Sequence, residues 1–248
     1  MPISSDPEAA GASGCSLEAF PTKPVSASAE VFYSFASESC QHRSFAWQLV
    51  QILEQAFAVI LGLCLLPLLA VVALIVGLAS GRAPFVAHRR IGLAGDEIWV
   101  LKVRTMWDSP RTLAWPNSWL EYLPNTPVPE AKSANDPRVT NRFAAICRRF
   151  SIDEIPQIWQ VARGTLALIG PRPLTATELD KFYGDAAKVI LQVKPGITGL
   201  WQVRGRDRLT YKQRRRLDLF MLQNWSFRMY CRILFASIPT VLSGRGAY

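Results

Sequence analysis

Two adjacent carboxylates, Asp153 and Glu154, stand in the segment Arg148 to Pro156, RRFSIDEIP, directly after a pair of arginines. Proline has no N–H and is at ease only within a helix's first turn, so a helix is expected to start near Asp153 and run to about Val161. Free N–H groups and the dipole at such an end favour phosphate or a bound nucleotide. An adjacent pair of acids can there divide the roles of nucleophile and Mg²⁺ ligand. The same pair also fits a purely structural reading, with Asp153 as an N-cap and Glu154 complementing the dipole. In IGPRP, Pro171 and Pro173 stiffen the backbone around Arg172 and hold its guanidinium fork in one orientation, which suits a diphosphate. An ordinary turn with a solvated arginine is the alternative. A third stretch, KPGITGLWQVRGR, has glycines that permit close backbone approach, with Lys194, Arg204 and Arg206 supplying charge. Lys102 and Arg104, in KVRTM, add two more cations. No Walker or dinucleotide fingerprint is present.

Carboxylates must carry any acid, base, nucleophile or metal chemistry, because the composition offers little else. The two histidines, His42 and His88, lack acidic or cysteine neighbours at metal-ligand spacing. The five cysteines are scattered and form no C-x-x-C, against both a disulfide framework and a zinc site. The formal charge of +9 over 248 residues points to an anionic partner. Five acids and two bases fall within residues 1–45, so the remaining 26 bases and 14 acids give the rest of the chain +12. That first stretch, rich in Ser, Ala, Pro and Glu, reads as a disordered tail.

From Gln55 to Gly81 no residue is charged. Twenty-seven helical residues rise about 40 Å, enough for a spanning helix, and Pro67 does not forbid one. If Pro67 breaks the helix, arms of 12 and 14 residues reach only about 18–21 Å each, and the segment would dip in and return to the same face. Arg82, Arg89, Arg90, Lys102 and Arg104 follow the run closely, which places the C-terminal bulk in the cytoplasm. Residues 86–105 read as two short strands around an Ala-Gly-Asp turn. Residues 107–134, with five prolines, read as an irregular excursion near the membrane interface. Helices are expected at Phe143–Arg149, Leu179–Gln192 and, amphipathic, Tyr211–Thr240. A strand is expected at Leu166–Ile169 and a loop or hairpin at Pro195–Arg206.

The chain from about residue 47 onward resembles the bacterial sugar transferase family, the monotopic polyprenyl-phosphate phosphoglycosyl transferases. The apolar run with its central proline, HRRIGLAGDEIWVLKVRTM, NDPRVT, RRFSIDEIPQIWQVARG, LALIGPRP, KPGITGLWQVRGR and the terminal GRGAY carry the resemblance. It implies an α+β fold: a re-entrant membrane helix hairpin (46–81) and a small mixed cytosolic catalytic domain (82–248) with amphipathic interfacial helices, behind the 1–45 tail. It implies Asp153 as nucleophile, Glu154 as its Mg²⁺-binding partner, and Arg148 and Arg172 as phosphate or nucleotide contacts. The reaction implied is transfer of a hexose-1-phosphate, galactose or glucose by likeness to exopolysaccharide-initiating members, from a UDP-sugar to undecaprenyl phosphate. UMP is released at the cytoplasmic face of the bacterial inner membrane. The partners implied are UDP-sugar, undecaprenyl phosphate and the lipid bilayer, with a homo-oligomer left open and nucleic acid not among them. Two departures stand out: Glu54 occupies a position where the family has Asp, and Tyr230 one where a later Asp is usual. A basic, non-catalytic membrane protein binding anionic lipid or nucleic acid would also explain the charge and the apolar run. It would not explain two acids in the middle of the most basic motif.

Overall fold

A computed structural model describes residues 45–106, 118–123 and 142–244. Residues 1–44, most of the proline-rich excursion and the NDPRVT segment lie outside the described residues. Helix α1, Phe45–Ser80, contains the whole apolar run and continues through Pro67 as one element. The expected break into two helices is absent because proline removes a single backbone hydrogen bond, which apolar helices tolerate. By length and composition α1 could cross a membrane.

A helix of 36 residues is about 54 Å long, yet the rest of the protein touches it at both ends. Trp47 packs with Ile169, Met221, Tyr230 and Ile233, and Ala58 with Val161 and Leu166. Far along the helix, Val72 and Val76 pack with Val103, Ala144 and Cys147. Between these contacts, residues 59–71 contain no buried side chain. Ile60, Leu63, Leu66 and Val71 there are exposed apolar groups.

The turn at Ala94 and Gly95, both at positive φ, joins strands β1, Phe85–Ile91, and β2, Glu97–Val103, as an antiparallel hairpin. Strand β3, Leu120–Leu123, pairs parallel to β1, giving the order β2-β1-β3. This part of the proline-rich segment is therefore regular structure rather than loop. Helix α2, Arg142–Arg149, leads into a 3₁₀ turn at Ile152–Glu154 and then helix α3, Gln157–Ala162. The Gln160 side chain of α3 closes the free edge of β2: its Oε1 accepts from Leu101 N–H at 2.9 Å and its Nε2 donates to Trp99 O. An amide thus stands where a fourth strand would pair and fixes α3 beside the sheet.

Strand β4, Ala167–Ile169, pairs parallel with β5, Gly196–Thr198. A Cβ on Gly196 would fall within 2.1 Å of Gly170 N, so only glycine permits this approach. The expected hairpin at Pro195–Arg206 is instead β5 followed by helix α4, Leu200–Arg204. The expected helix at Leu179–Gln192 is split into short turns at Gly184, whose φ is +51. Helices α5, Tyr211–Gln223, and α6, Phe227–Ser243, replace the single long helix, because Ser226 caps a fresh start by accepting from Met229 N–H at 3.2 Å. Fully burying a Val, Leu or Ile side chain contributes roughly 1.5–3 kcal/mol. Such clusters, rather than helix propensity, hold elements as short as α3 and α4.

The two family departures are partners. The Tyr230 hydroxyl of α6 donates to Glu54 Oε1 of α1, and Leu168 N–H of β4 donates to the same oxygen at 3.2 Å. The carboxylate pins the start of α1 to the domain.

Candidate active site

Asp153 sits in the 3₁₀ turn and is buried. It caps no helix: α3 begins at Gln157 with Pro156 preceding it, and neither flanking cap position uses a side chain. The helix starts later than expected because Ser151 turns the chain into the left-handed region, φ +56, before the acids. Arg206, itself at φ +49, donates from Nη2 to Ser151 Oγ and holds that corner. Two of the three described non-glycine residues at positive φ therefore bond each other beside the acids, a strain of the kind stored at functional sites.

Around Asp153, Lys102 Nζ donates to Glu154 Oε1 at 2.7 Å. Burial pushes the Asp153 carboxyl up to about 6; Lys102 and Arg148 pull against this, while Glu154 adds to it. Above that range Asp153 is a poorly solvated carboxylate next to cations, the state of a competent nucleophile. Among the described residues no three His, Cys, Asp or Glu groups converge to hold a metal. A single hard carboxylate such as Glu154 still fits Mg²⁺ of the kind bound through one or two carboxylates plus substrate phosphates.

Strand alternation and the register Val86↔Lys102 put His88, Arg90 and Lys102 on one face of the sheet. Burial lowers the His88 pKa to about 4, and Arg90, Lys102, Arg104 and Arg172 add to the effect, so the imidazole is neutral amid four cations. Arg172, between half-buried Pro173 and buried Pro171, has its Cζ 5.4 Å from the ring of buried Trp201. On the same ring Arg214 lies at 4.7 Å. Burial works against an ionised Glu178, yet Arg172, the Thr175 N–H, Arg90 and the Tyr211 hydroxyl together hold its carboxyl below the usual range.

The residues picked out in the sequence thus separate into groups. Asp153, Glu154, Lys102 and Arg148 converge. Arg172 joins Arg90, His88 and Glu178 beside them. The Arg104 guanidinium is engaged structurally, Nε on Ala83 O at 2.8 Å and Nη2 on Glu121. Lys194 lies elsewhere, lining a cleft with Trp47, Glu54, Gln55 and Tyr230, and its charge acts on Glu54. Arg204 and Arg206 line a further cavity, with Arg206 reaching Ser151. Sequence reading passed over His88, Arg90, Ser151 and Glu178. The period-two pattern of VAHRRI could have put His88 and Arg90 on one face; nothing local marks Ser151 or Glu178.

Residues 45–244 match the family described as bacterial sugar transferase. The chain belongs to that family. This sugar transferase is 36% identical over 198 residues, 77% of its length and 84% of the relative's, to the exopolysaccharide production protein ExoY of Sinorhizobium fredii. It is 38% identical over 190 residues to the UDP-galactose-lipid carrier transferase of Erwinia amylovora, covering 74% of this chain and only 38% of that longer protein. A Xanthomonas campestris UDP-glucose:undecaprenyl-phosphate glucose-1-phosphate transferase is 33% identical over 203 residues, 79% of this chain and 39% of the relative.

Proposed function

We propose that this sugar transferase moves a hexose-1-phosphate, galactose or glucose, from a UDP-sugar to undecaprenyl phosphate and releases UMP, as the first step of an exopolysaccharide or related glycan. The observation that carries this is Asp153: a buried carboxylate that caps no helix, between Arg148 and the Lys102–Glu154 pair. Asp153 attacks the β-phosphorus, the bond to the bridging oxygen breaks, and UMP departs with the electron pair. A phosphosugar-aspartyl intermediate remains. An oxygen of the polyprenyl phosphate then attacks the same phosphorus and the Asp153 carboxylate is restored, which makes the kinetics ping-pong. Glu154 would hold a Mg²⁺ ion, whose positive charge would offset that of the diphosphate. Lys102 orients Glu154 and, with Arg148, favours the ionised form of Asp153, and Arg172 offers a fork to the diphosphate. The relatives named for UDP-galactose and UDP-glucose favour a hexose.

A site of this kind must lie at the depth of lipid headgroups, on the cytoplasmic face of the inner membrane. A spanning helix standing on a cytosolic domain touches that domain at one end only, whereas α1 does so at both. The stretch between these contacts, with Ile60, Leu63, Leu66 and Val71 exposed, is the part read as dipping into the bilayer, and a bend at Pro67 that leaves the helix continuous returns it to the same face, so α1 is read as re-entrant. Phe227, Phe235, Ile238 and Leu242 make an exposed apolar face on α6 suited to the interface. Multiple-turnover release of UMP from UDP-galactose or UDP-glucose, dependent on both Mg²⁺ and undecaprenyl phosphate, is the expected result. A protein that binds lipid without chemistry releases none.

A further inference from the structure

A second basic group meets the Ser151 corner through Arg206. Arg204, Arg206 and Arg208, with Gln202 and the α6 residues Thr240 and Ser243, line an open cavity of about 300 Å³. Arg206 spends one prong of its fork on Ser151 Oγ. Its Nη1 is buried without a hydrogen-bond partner among the described residues. Burial, and then Arg232 of α6, lower the Arg204 pKa, so like charges are crowded at this wall. Ser151 is two residues from Asp153, at most about 7 Å along the backbone.

The same helix supplies an apolar neighbour to these cations. Phe235, Ile238 and Leu242 recur at helical spacing and are exposed, while Thr240 and Ser243 beside them line the cavity. Gly244, at φ +59, closes α6 against Arg149, whose Cγ would lie 2.5 Å from a Cβ placed there. The cavity is therefore fixed between the acid-bearing turn and an exposed apolar strip. A ligand with an anionic head and a long apolar chain matches both, whereas a nucleotide has nothing to lay along the strip.

We propose that this cavity receives the phosphate of the isoprenoid acceptor, with Arg204, Arg206 and Arg208 on the phosphate and the Phe235, Ile238 and Leu242 row along its first isoprene units. The inference rests on the polyprenyl phosphate reading above and gives that substrate a place on cations other than those proposed for the donor. A phosphomonoester, close to a dianion at neutral pH, satisfies a cluster of guanidiniums better than a singly charged phosphodiester headgroup. In transfer, an acceptor oxygen forms the new P–O–P bond as the bond to Asp153 breaks, and the electron pair returns to the carboxylate.

The test is photocrosslinking of the full chain in phosphatidylcholine nanodiscs, without UDP-sugar, using a diazirine-bearing farnesyl phosphate. Expected are adducts on the peptide spanning residues 227–243, competed by undecaprenyl phosphate at least tenfold more effectively than by phosphatidylglycerol or inorganic phosphate. Arg208→Gln and the cavity-filling Ser243→Trp should each cut labelling at least fivefold in protein that elutes as wild type does. Equal competition by phosphatidylglycerol would make this a bilayer-headgroup site, and equal competition by inorganic phosphate a free-anion site; either overturns the assignment. So would adducts confined to other elements, or full labelling in both folded variants. Binding is read here without turnover. An absence of UMP release would therefore sink the catalytic reading and leave this result to stand or fall separately.

Discussion

Tyr230→Phe removes one oxygen from the place where α1 joins the domain. Tyr230 and Glu54 are 7% and 8% exposed, so water does not readily replace the lost donor. Glu54 keeps the Leu168 N–H at 3.2 Å and loses its hydroxyl partner. Removing one partner of a buried hydrogen bond costs about 1–3 kcal/mol, and the missing oxygen leaves too small a void to add a cavity term. A cost of about 2 kcal/mol lowers the melting temperature of a chain this size by roughly 4–8 °C. Thermal unfolding in nanodiscs measures it, and a double-mutant cycle with Glu54→Ala should return a coupling of about 1–2 kcal/mol. If Tyr230→Phe melts within 1 °C of wild type, or the two losses simply add, the pair does not anchor α1.

Arg172→Lys should lower turnover more than tenfold although the charge is kept, because an ammonium reproduces neither the planar stacking on Trp201 nor a fork; near-normal turnover would reduce Arg172 to general charge. Burial pushes the Asp218 carboxyl from 3.8 up to about 7, against the opposing pull of the Tyr183 hydroxyl, Arg172 and Arg214. The folded state then holds that proton more tightly than the unfolded one, a stabilisation complete below about pH 4 and lost as pH rises through 7. Wild type should therefore lose stability relative to Asp218→Asn between pH 5 and 8, by an amount on the order of a few kcal/mol, and a pH-independent difference would contradict this. In a cysteine-free background, Phe45→Cys and Leu93→Cys, both exposed, should resist a membrane-impermeant thiol reagent added to intact cells; labelling at 45 alone would restore a spanning α1.

Local patterns made some of this structure legible. The β1–β2 hairpin follows from alternation around Ala94 and Gly95, and α2 and β4 lie within a residue of their expected bounds. Expectation and structure part where distant contacts decide. The start of α3 was displaced by the Ser151 corner, which is held by Arg206, 55 residues away. Strand β5 pairs parallel to β4 through the close approach of Gly170 and Gly196, and no short-range signal announces such pairing. The division of α5 from α6 could have been read from Ser226, an ordinary N-cap residue before an amphipathic run. At the site, Asp153, Glu154, Lys102 and Arg148 lie together, which the sequence left open for Lys102. Lys194 was drawn instead to Glu54, a partner visible only once α1 is docked. His88 and Arg90 needed the strand register to bring them to the site.

The covalent role of Asp153 is tested most directly by incubating the protein with UDP-galactose or UDP-glucose labelled in the β-phosphate, without lipid acceptor, followed by acid quench and peptide mapping. Label on the peptide containing Asp153 in wild type, discharged when undecaprenyl phosphate is added and absent from Asp153→Asn, is the predicted result. Asparagine offers no nucleophilic carboxylate, and since Asp153 caps no helix the exchange should leave the fold intact. A folded Asp153→Asn protein that transfers sugar-phosphate near the wild-type rate, or label on another residue, would contradict it.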